Sequence, residues 1–192
     1  FLYLMDSQFS AIIRKRVRES QLQKRREKDH KLPSKDDVRL FSTFVKSERN
    51  ICWEKLSTDF DYTLWVKLSQ LTIASIIVFN RRRTGESQNI LVSDFQRRES
   101  INETSNEDLF AALSEKAKKV ARLYSRMKIR GKKGVLNVNV LLQADIVRCI
   151  ELLLIHRVRA GIPVDNPFLF ALPSPPGEDR IRVVNACKVL AS

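Results

Sequence analysis

The sequence has few cysteines and no pattern among them. Cys52, Cys149 and Cys187 are three in number and far apart. Neither a disulfide framework nor a zinc site follows from that spacing, and a reducing compartment fits best. The longest apolar run is too short to span a bilayer, and no signal peptide or cleavage pattern stands at the start. There is no internal repeat, and no low-complexity tract beyond one basic N-terminal segment. Phe1 stands where Met would begin a chain, and Ser192 falls inside a helical pattern without a stop signal, so a stretch cut from something longer is expected. The scarcest commodity is negative charge: 22 acidic residues face 35 basic ones, for a net charge of +13. That balance favours a polyanionic partner, nucleic acid before an anionic membrane surface. With 192 residues, 43% of them hydrophobic, a core can form for one domain plus an extension.

What is present reads as helices with one clear hairpin. Ser7 to Lys31 predicts a basic helix with Phe9, Ile12, Ile13 and Val17 on one stripe and Lys24, Arg25, Arg26 and Lys28 in its polar second half. Leu32-Pro33 breaks it. Ser34 is the N-cap expected for a second helix, with Asp36 and Asp37 in the first turn and Val38, Phe41, Phe44 and Val45 on its buried face. Asn50 to Asp61 is a weaker segment in which Trp53 and Leu56 pack on neighbours, with a boundary near Ser57 to Asp61. A third helix is expected from Tyr62, with Leu64, Leu68, Leu71 and Ile76 to Phe79 inward. Ile76-Ile77-Val78 would also suit a buried strand, but the preceding leucine spacing favours helix.

Glu107 to Tyr124 predicts an amphipathic helix with Leu109, Leu113, Ala117, Val120 and Tyr124 on one face. Met127 and Ile129 then alternate with Lys128 and Arg130. Gly131-Lys132-Lys133-Gly134 makes a turn, and Leu136, Val138 and Val140 alternate with Asn137 and Asn139. That is a hairpin with one buried face and a basic tip. Asp145 to Arg159 is a helix with Ile146, Ile150 and Leu153 inward, ended by Gly161-Ile162-Pro163. Phe168-Leu169-Phe170 is a short strand, Pro173 to Gly177 a loop, and Glu178 to Leu190 a last helix.

One stretch carries chemistry. Asn80-Arg81-Arg82-Arg83-Thr84-Gly85-Glu86 follows the apolar run Leu71 to Phe79, with Ile90 and Asp94 beyond. Charge beside a core costs several kcal/mol unless paired, and holding a phosphate in a partly desolvated cleft is an economical reason to put arginine there.

The order of helix, Arg-x-x-Glu turn, helix, basic-tipped hairpin, helix, short strand and helix resembles the catalytic domain of tyrosine recombinases, the phage-integrase family. Arg83, Glu86, Ile90 and Asp94 match the spacing of its first signature, and Lys132 in Gly131-Lys132-Lys133-Gly134 matches its hairpin lysine. The arginine box, with Gly-Ile-Pro, Asn-Pro and Phe-Leu-Phe later, looks most like the animal and fungal Crypton-type branch. The likeness covers about Tyr62 to Ser192.

The resemblance implies an α+β, mostly helical fold. A partial catalytic core with a small antiparallel hairpin or sheet would span 58–192, preceded by basic helices in 1–57, the end of a core-binding-like domain. It implies the chemistry of DNA recombination or integration by transesterification. A tyrosine attacks a DNA phosphodiester, forming a phosphotyrosyl bond and freeing a 5′ hydroxyl. Arg83 would neutralise the equatorial oxygens of the transition state. Glu86 would orient that arginine, and Lys132 would protonate the leaving oxygen. Arg81, Arg82, Arg130, Lys133, Lys24, Arg25 and Arg26 would bind duplex DNA. The implied protein is nuclear, takes no cofactor or metal, meets no membrane, and can assemble with its own copies on DNA.

The departures are as informative. Arg81 stands where the family has a small residue, which leaves open which of Arg81, Arg82 and Arg83 meets the phosphate; the register of Glu86, Ile90 and Asp94 favours Arg83. The family's His-x-x-Arg motif and nucleophilic tyrosine belong after the short strand and its following helix, where this sequence stops. His156-Arg157-Val158-Arg159 comes too early in the order and reads as a decoy. Tyr3, Tyr62 and Tyr124 all precede the hairpin. The expectation is therefore a DNA-binding fragment without strand cleavage of its own. The rival is a non-enzymatic helical module, derived from a mobile element, whose basic face binds nucleic acid or an acidic protein. A third possibility is a fragment with exposed core surface that aggregates.

Overall fold

Hydrophobic periodicity, caps and alternation build a mostly helical α+β chain with a small antiparallel sheet. In the computed structural model the described residues are 2–27, 33–101, 110–131, 137–173 and 182–183; the side chains of 2–11, 25, 182 and 183 lie outside the description. The chain divides into two units, Phe1–Val38 and Arg39–Ser192. The sequence places a division at 57/58, where one helix runs unbroken to Thr58.

The first unit holds α1 (Leu2–Glu27) and the start of α2 (Lys35–Thr58). Ile12, Ile13 and Val17 of the α1 stripe are solvent-exposed. At the start of α2 a reciprocal cap forms as expected: the Asp37 amide donates to Ser34 Oγ at 3.1 Å, and the Ser34 amide to Asp37 Oδ2 at 2.8 Å. These bonds hold the Asp37 carboxyl below its usual range.

In the second unit, α2 runs unbroken through Asn50 to Thr58, where a weaker segment was expected. Its buried stripe is Val45, Arg49, Cys52 and Leu56. Val38 and Phe44, expected inside, are exposed. The apolar residues of the first half obey the same period, but before Val45 only Phe41 packs, partly buried, against the core. Helix α3 (Tyr62–Asn80) is capped by Asp61, whose side chain accepts from the Leu64 amide at 2.8 Å. Leu68, Leu71, Ile73, Ala74, Ile76 and Ile77 are buried, so the β-branched run is helical, while Phe79, expected inward, is exposed. By length and composition alone α3 could cross a membrane, because Ser69, Thr72 and Ser75 interrupt its apolar run without lowering mean hydropathy much; 50% of that window is buried inside the domain.

Short helices α4 (Thr84–Gln88) and α5 (Val92–Gln96) follow, with Ile90 and Phe95 fully in the core. Strand β1 (Glu99–Ser100) leads to residues 102–109, outside the description. Helix α6 (Glu115–Ala121) begins where Ser114 caps the Ala117 amide. It is shorter than anticipated and buries nothing: Leu113 and Val120 are exposed, and Tyr124 opens a strand instead of closing a helix. The capping serine in mid-pattern is the physical reason.

The anticipated hairpin forms, with its expected face buried. Strands β2 (Tyr124–Arg130) and β3 (Asn137–Gln143) pair antiparallel, and the sheet order is β1-β2-β3. Met127, Ile129, Val140 and Leu142 face the core. Residues 132–136 of the turn lie outside the description. Helix α7 (Ala144–Ile155) buries Ile146, Cys149, Ile150 and Leu153 against α3. It ends before Arg159, and turns carry the chain to Gly161, whose φ of 78° suits glycine. The Trp65 indole donates to Leu153 O at 3.1 Å, tying α3 to α7. Phe168 makes an isolated bridge to Leu91, and the strand proper is β4 (Ala171–Leu172). It pairs with β5 (Arg182–Val183), so those two residues are extended where a last helix was expected; the remainder of that stretch lies outside the description.

Candidate nucleic-acid interface

The arginine box sits where α3 must stop. Arg81 takes the left-handed conformation (φ 52°, ψ 43°), and the Arg82 amide returns to Ile77 O at 3.1 Å. A left-handed turn is a standard helix terminus, though a side chain there costs about 1–2 kcal/mol. The exit places each arginine differently. Arg81 is exposed. Arg82 is half-buried and donates from Nη2 to Asn139 O at 2.9 Å, while its buried Nε has no partner. Arg83, the residue before α4, is 72% exposed and donates from Nη1 to Glu86 Oε1 at 3.1 Å; the carboxylate is only 12% exposed.

Beside Arg82, Asn80 closes the free edge of the sheet. Its Nδ2 donates to Leu141 O at 3.0 Å, and its Oδ1 accepts from the Leu141 amide at 2.8 Å. Among the described residues strand β3 is an edge, with its outward N–H and C=O groups unclaimed by another strand. The side chains of Asn80 and Arg82 take three of those groups. The arginine turn and the hairpin are therefore fastened to each other.

Together they form a cleft of about 1210 Å³ lined by Arg82, Arg83, Gly85, Glu86, Arg130 and Phe168 among others. Four of the anticipated residues, Arg82, Arg83, Glu86 and Arg130, come together here. Gly131 also lines it, and Lys132 and Lys133 come next in sequence, outside the description. Arg81 does not line the cleft. Lys24, Arg25 and Arg26 belong to α1 in the other unit; Lys24 and Arg26 are exposed. Asp94, the last member of the Arg83 spacing, accepts from the Leu91 amide at 3.1 Å and from Arg97 at 3.2 Å, which makes it a helix-start residue.

The far wall was not anticipated. Phe168 reaches the cleft because its segment adds to the chain at Ile90–Val92: the Leu169 amide donates to Ile90 O at 2.8 Å, and Val92 to Pro167 O at 2.9 Å. Arg157 braces this segment, donating to Phe168 O at 2.8 Å and to Asn166 O. Burial lowers its guanidinium pKa from the ordinary value. Its neighbours His156 and Arg159 contact Phe60, the ring centroid of His156 at 5.3 Å and the Arg159 guanidinium at 4.8 Å. None of the three lines the cleft. Of the tyrosines with described side chains, Tyr62 stacks on Trp65 and Tyr124 on Phe79, and neither lines it either. In the sequence Arg157 stands out only within His156-Arg157-Val158-Arg159, a pattern that gives no sign of this brace.

A guanidinium with one donor engaged by a shielded carboxylate, and the rest facing a cleft shared with another arginine, suits a phosphate. Comparison with protein-family models, curated proteins and solved structures finds no match.

Proposed function

We propose that the Arg39–Ser192 unit binds duplex DNA through this cleft, in the manner of part of a tyrosine-recombinase-like catalytic domain. The observation that carries the reading is the oriented Arg83–Glu86 pair facing the Arg130–Gly131 hairpin root across one cleft. Arg83 neutralises a phosphodiester, and Glu86 fixes its fork. By the resemblance Lys132, which lies outside the described residues, would supply a proton to a departing 5′ oxygen in an intact site. Among the described residues no tyrosine lines the cleft, so the function proposed is DNA binding, in the nucleus, by a protein derived from a recombinase.

The test uses a matched control. Arg97 is as exposed as Arg83 (74%) and pairs at i,i+3 with a carboxylate equally shielded (12%), but it lies outside the cleft. In fluorescence anisotropy with labelled duplex, Arg83→Ala should weaken binding about 10-fold or more, as loss of a charge-assisted bond implies, and Arg97→Ala less than about threefold. Equal losses would leave the non-enzymatic adaptor, in which each charge counts alike, as the better reading.

A further inference from the structure

The outer face of the sheet carries a row of cations beyond those in the arginine box. Along β2, Met127 and Ile129 enter the core, and Arg126, Lys128 and Arg130 stand on the opposite face. On β3 the partners are Leu141, Asn139 and Asn137 in that order. Successive outward residues on a strand are about 7 Å apart, comparable with consecutive phosphates along one nucleic-acid strand. Among the described residues the row ends at Arg130, which lines the cleft and has no ion-pair partner among them.

Glu99 is the one acidic side chain these three strands hold. It pairs with Arg126 across β1 and β2 and accepts from Arg126 Nη2 at 2.5 Å and from Lys128 Nζ at 3.2 Å. Glu99 is 45% exposed, and Lys128 52%. Ion pairs this exposed are weak, so a phosphate exchanges for the carboxylate at little cost, with counterion release as the gain.

We propose that this sheet face is a track for one phosphodiester strand of duplex DNA leading into the Arg83 cleft, with Glu99 occupying Arg126 and Lys128 until a phosphate replaces it. The proposal rests on the reading of the cleft as a phosphate site. Its contacts are to backbone alone, so the track adds affinity without sequence preference.

The experiment titrates the full chain and its variants with a labelled duplex over a range of salt. Glu99→Gln should tighten binding about two- to fivefold, the factor of an exposed ion pair. Arg126→Ala and Lys128→Ala should each lower the slope of log K against log salt by about 0.9, and Arg126→Lys should keep it. Glu115→Gln is the control, since Glu115 pairs with Lys118 at 2.9 Å on α6; it should leave affinity unchanged. Circular-dichroism melts confirm that each variant folds. If Glu99→Gln and Glu115→Gln act alike, or the Arg126 and Lys128 variants keep the wild-type slope while Arg83→Ala lowers it, the track is wrong and the cleft stands. If Arg83→Ala is also silent, both fall. Tighter binding to single-stranded DNA or to RNA duplex overturns the duplex assignment.

Discussion

Arg49 is the residue whose loss the fold should tolerate least. It is 3% exposed on the buried stripe of α2. Its Nη1 donates to Ser75 Oγ at 2.6 Å, and its Nη2 pairs with Asp145, whose side chain is 20% exposed. Three elements, α2, α3 and α7, thus meet at one guanidinium. Arg49→Met removes the cation and leaves the Asp145 carboxylate without its partner. Breaking a buried pair in this way costs about 3–5 kcal/mol. For a domain of about 150–250 residues each kcal/mol moves Tm by about 2–4 °C, so the melting temperature should fall by roughly 6–20 °C. Ser75 keeps its own bond to Leu71 O at 2.8 Å, which puts the loss on Asp145. The double variant Arg49→Met with Asp145→Leu should therefore recover most of it, because apolar side chains of similar volume often replace a buried ion pair at no net cost. Urea and thermal melts of the two single variants and the double measure the cycle. A single-variant cost under about 1 kcal/mol, or a double variant no better than Arg49→Met, would refute the reasoning.

Two further perturbations probe the sheet edge and the core thiol. Asn80→Ala removes three hydrogen bonds, to Ile76 O and to the Leu141 amide and carbonyl. Since water reaches this edge, the cost should be only about 1–2 kcal/mol, but hydrogen exchange at the Leu141 amide should accelerate, and unchanged exchange would count against the clasp. Burial pushes the Cys149 thiol up to about 11. A folded pKa raised above the unfolded one means full stability below the unfolded thiol range and loss as pH rises from there toward 11. Native Cys149 should also react with iodoacetamide about two orders of magnitude more slowly than in urea at the same pH, a difference that quantitative mass spectrometry reads directly.

The sequence announces those parts of the fold whose periodicity is unambiguous. Strict alternation at Met127, Ile129, Val138 and Val140 points to a half-buried hairpin, and the structure pairs Met127 with Val140 and Ile129 with Val138 on one face. Ile146, Ile150 and Leu153 likewise set the inner face of α7. Helix α2 misled at Val38 and Phe44, apolar but exposed, and at Arg49, a charge in a buried position that periodicity reads as surface, whereas Phe41 packs partly buried against the core as expected. Tyr124 misled for the opposite reason: an apolar residue at helical spacing became the first residue of a strand once Ser114 had restarted the helix late and Arg122 had ended it. At the site, the spacing of Arg83 and Glu86 was legible because an i,i+3 pair needs only local geometry. Phe168 and the Arg157 brace were not, since they approach from far along the chain through backbone bonds that no side-chain pattern encodes.

The clasp explains why three adjacent arginines are not interchangeable. A helix that ends against an edge strand must stop, satisfy that edge, and turn away, all within a few residues. Arg81 supplies the left-handed stop, Arg82 gives a donor to Asn139 O, and of the three only Arg83 both lines the cleft and is held by Glu86 with most of its fork free. Asn80 and Arg82 bind the backbone of Asn139 and Leu141, and Asn139 pairs across the hairpin with Lys128, one outward position from Arg130. A shift of the hairpin therefore moves its cations and the Arg83 turn together. If, as proposed, two of these cations meet one phosphate, they need that coupling more than they need proximity, because a guanidinium misplaced by an ångström loses the bidentate geometry that makes it strong.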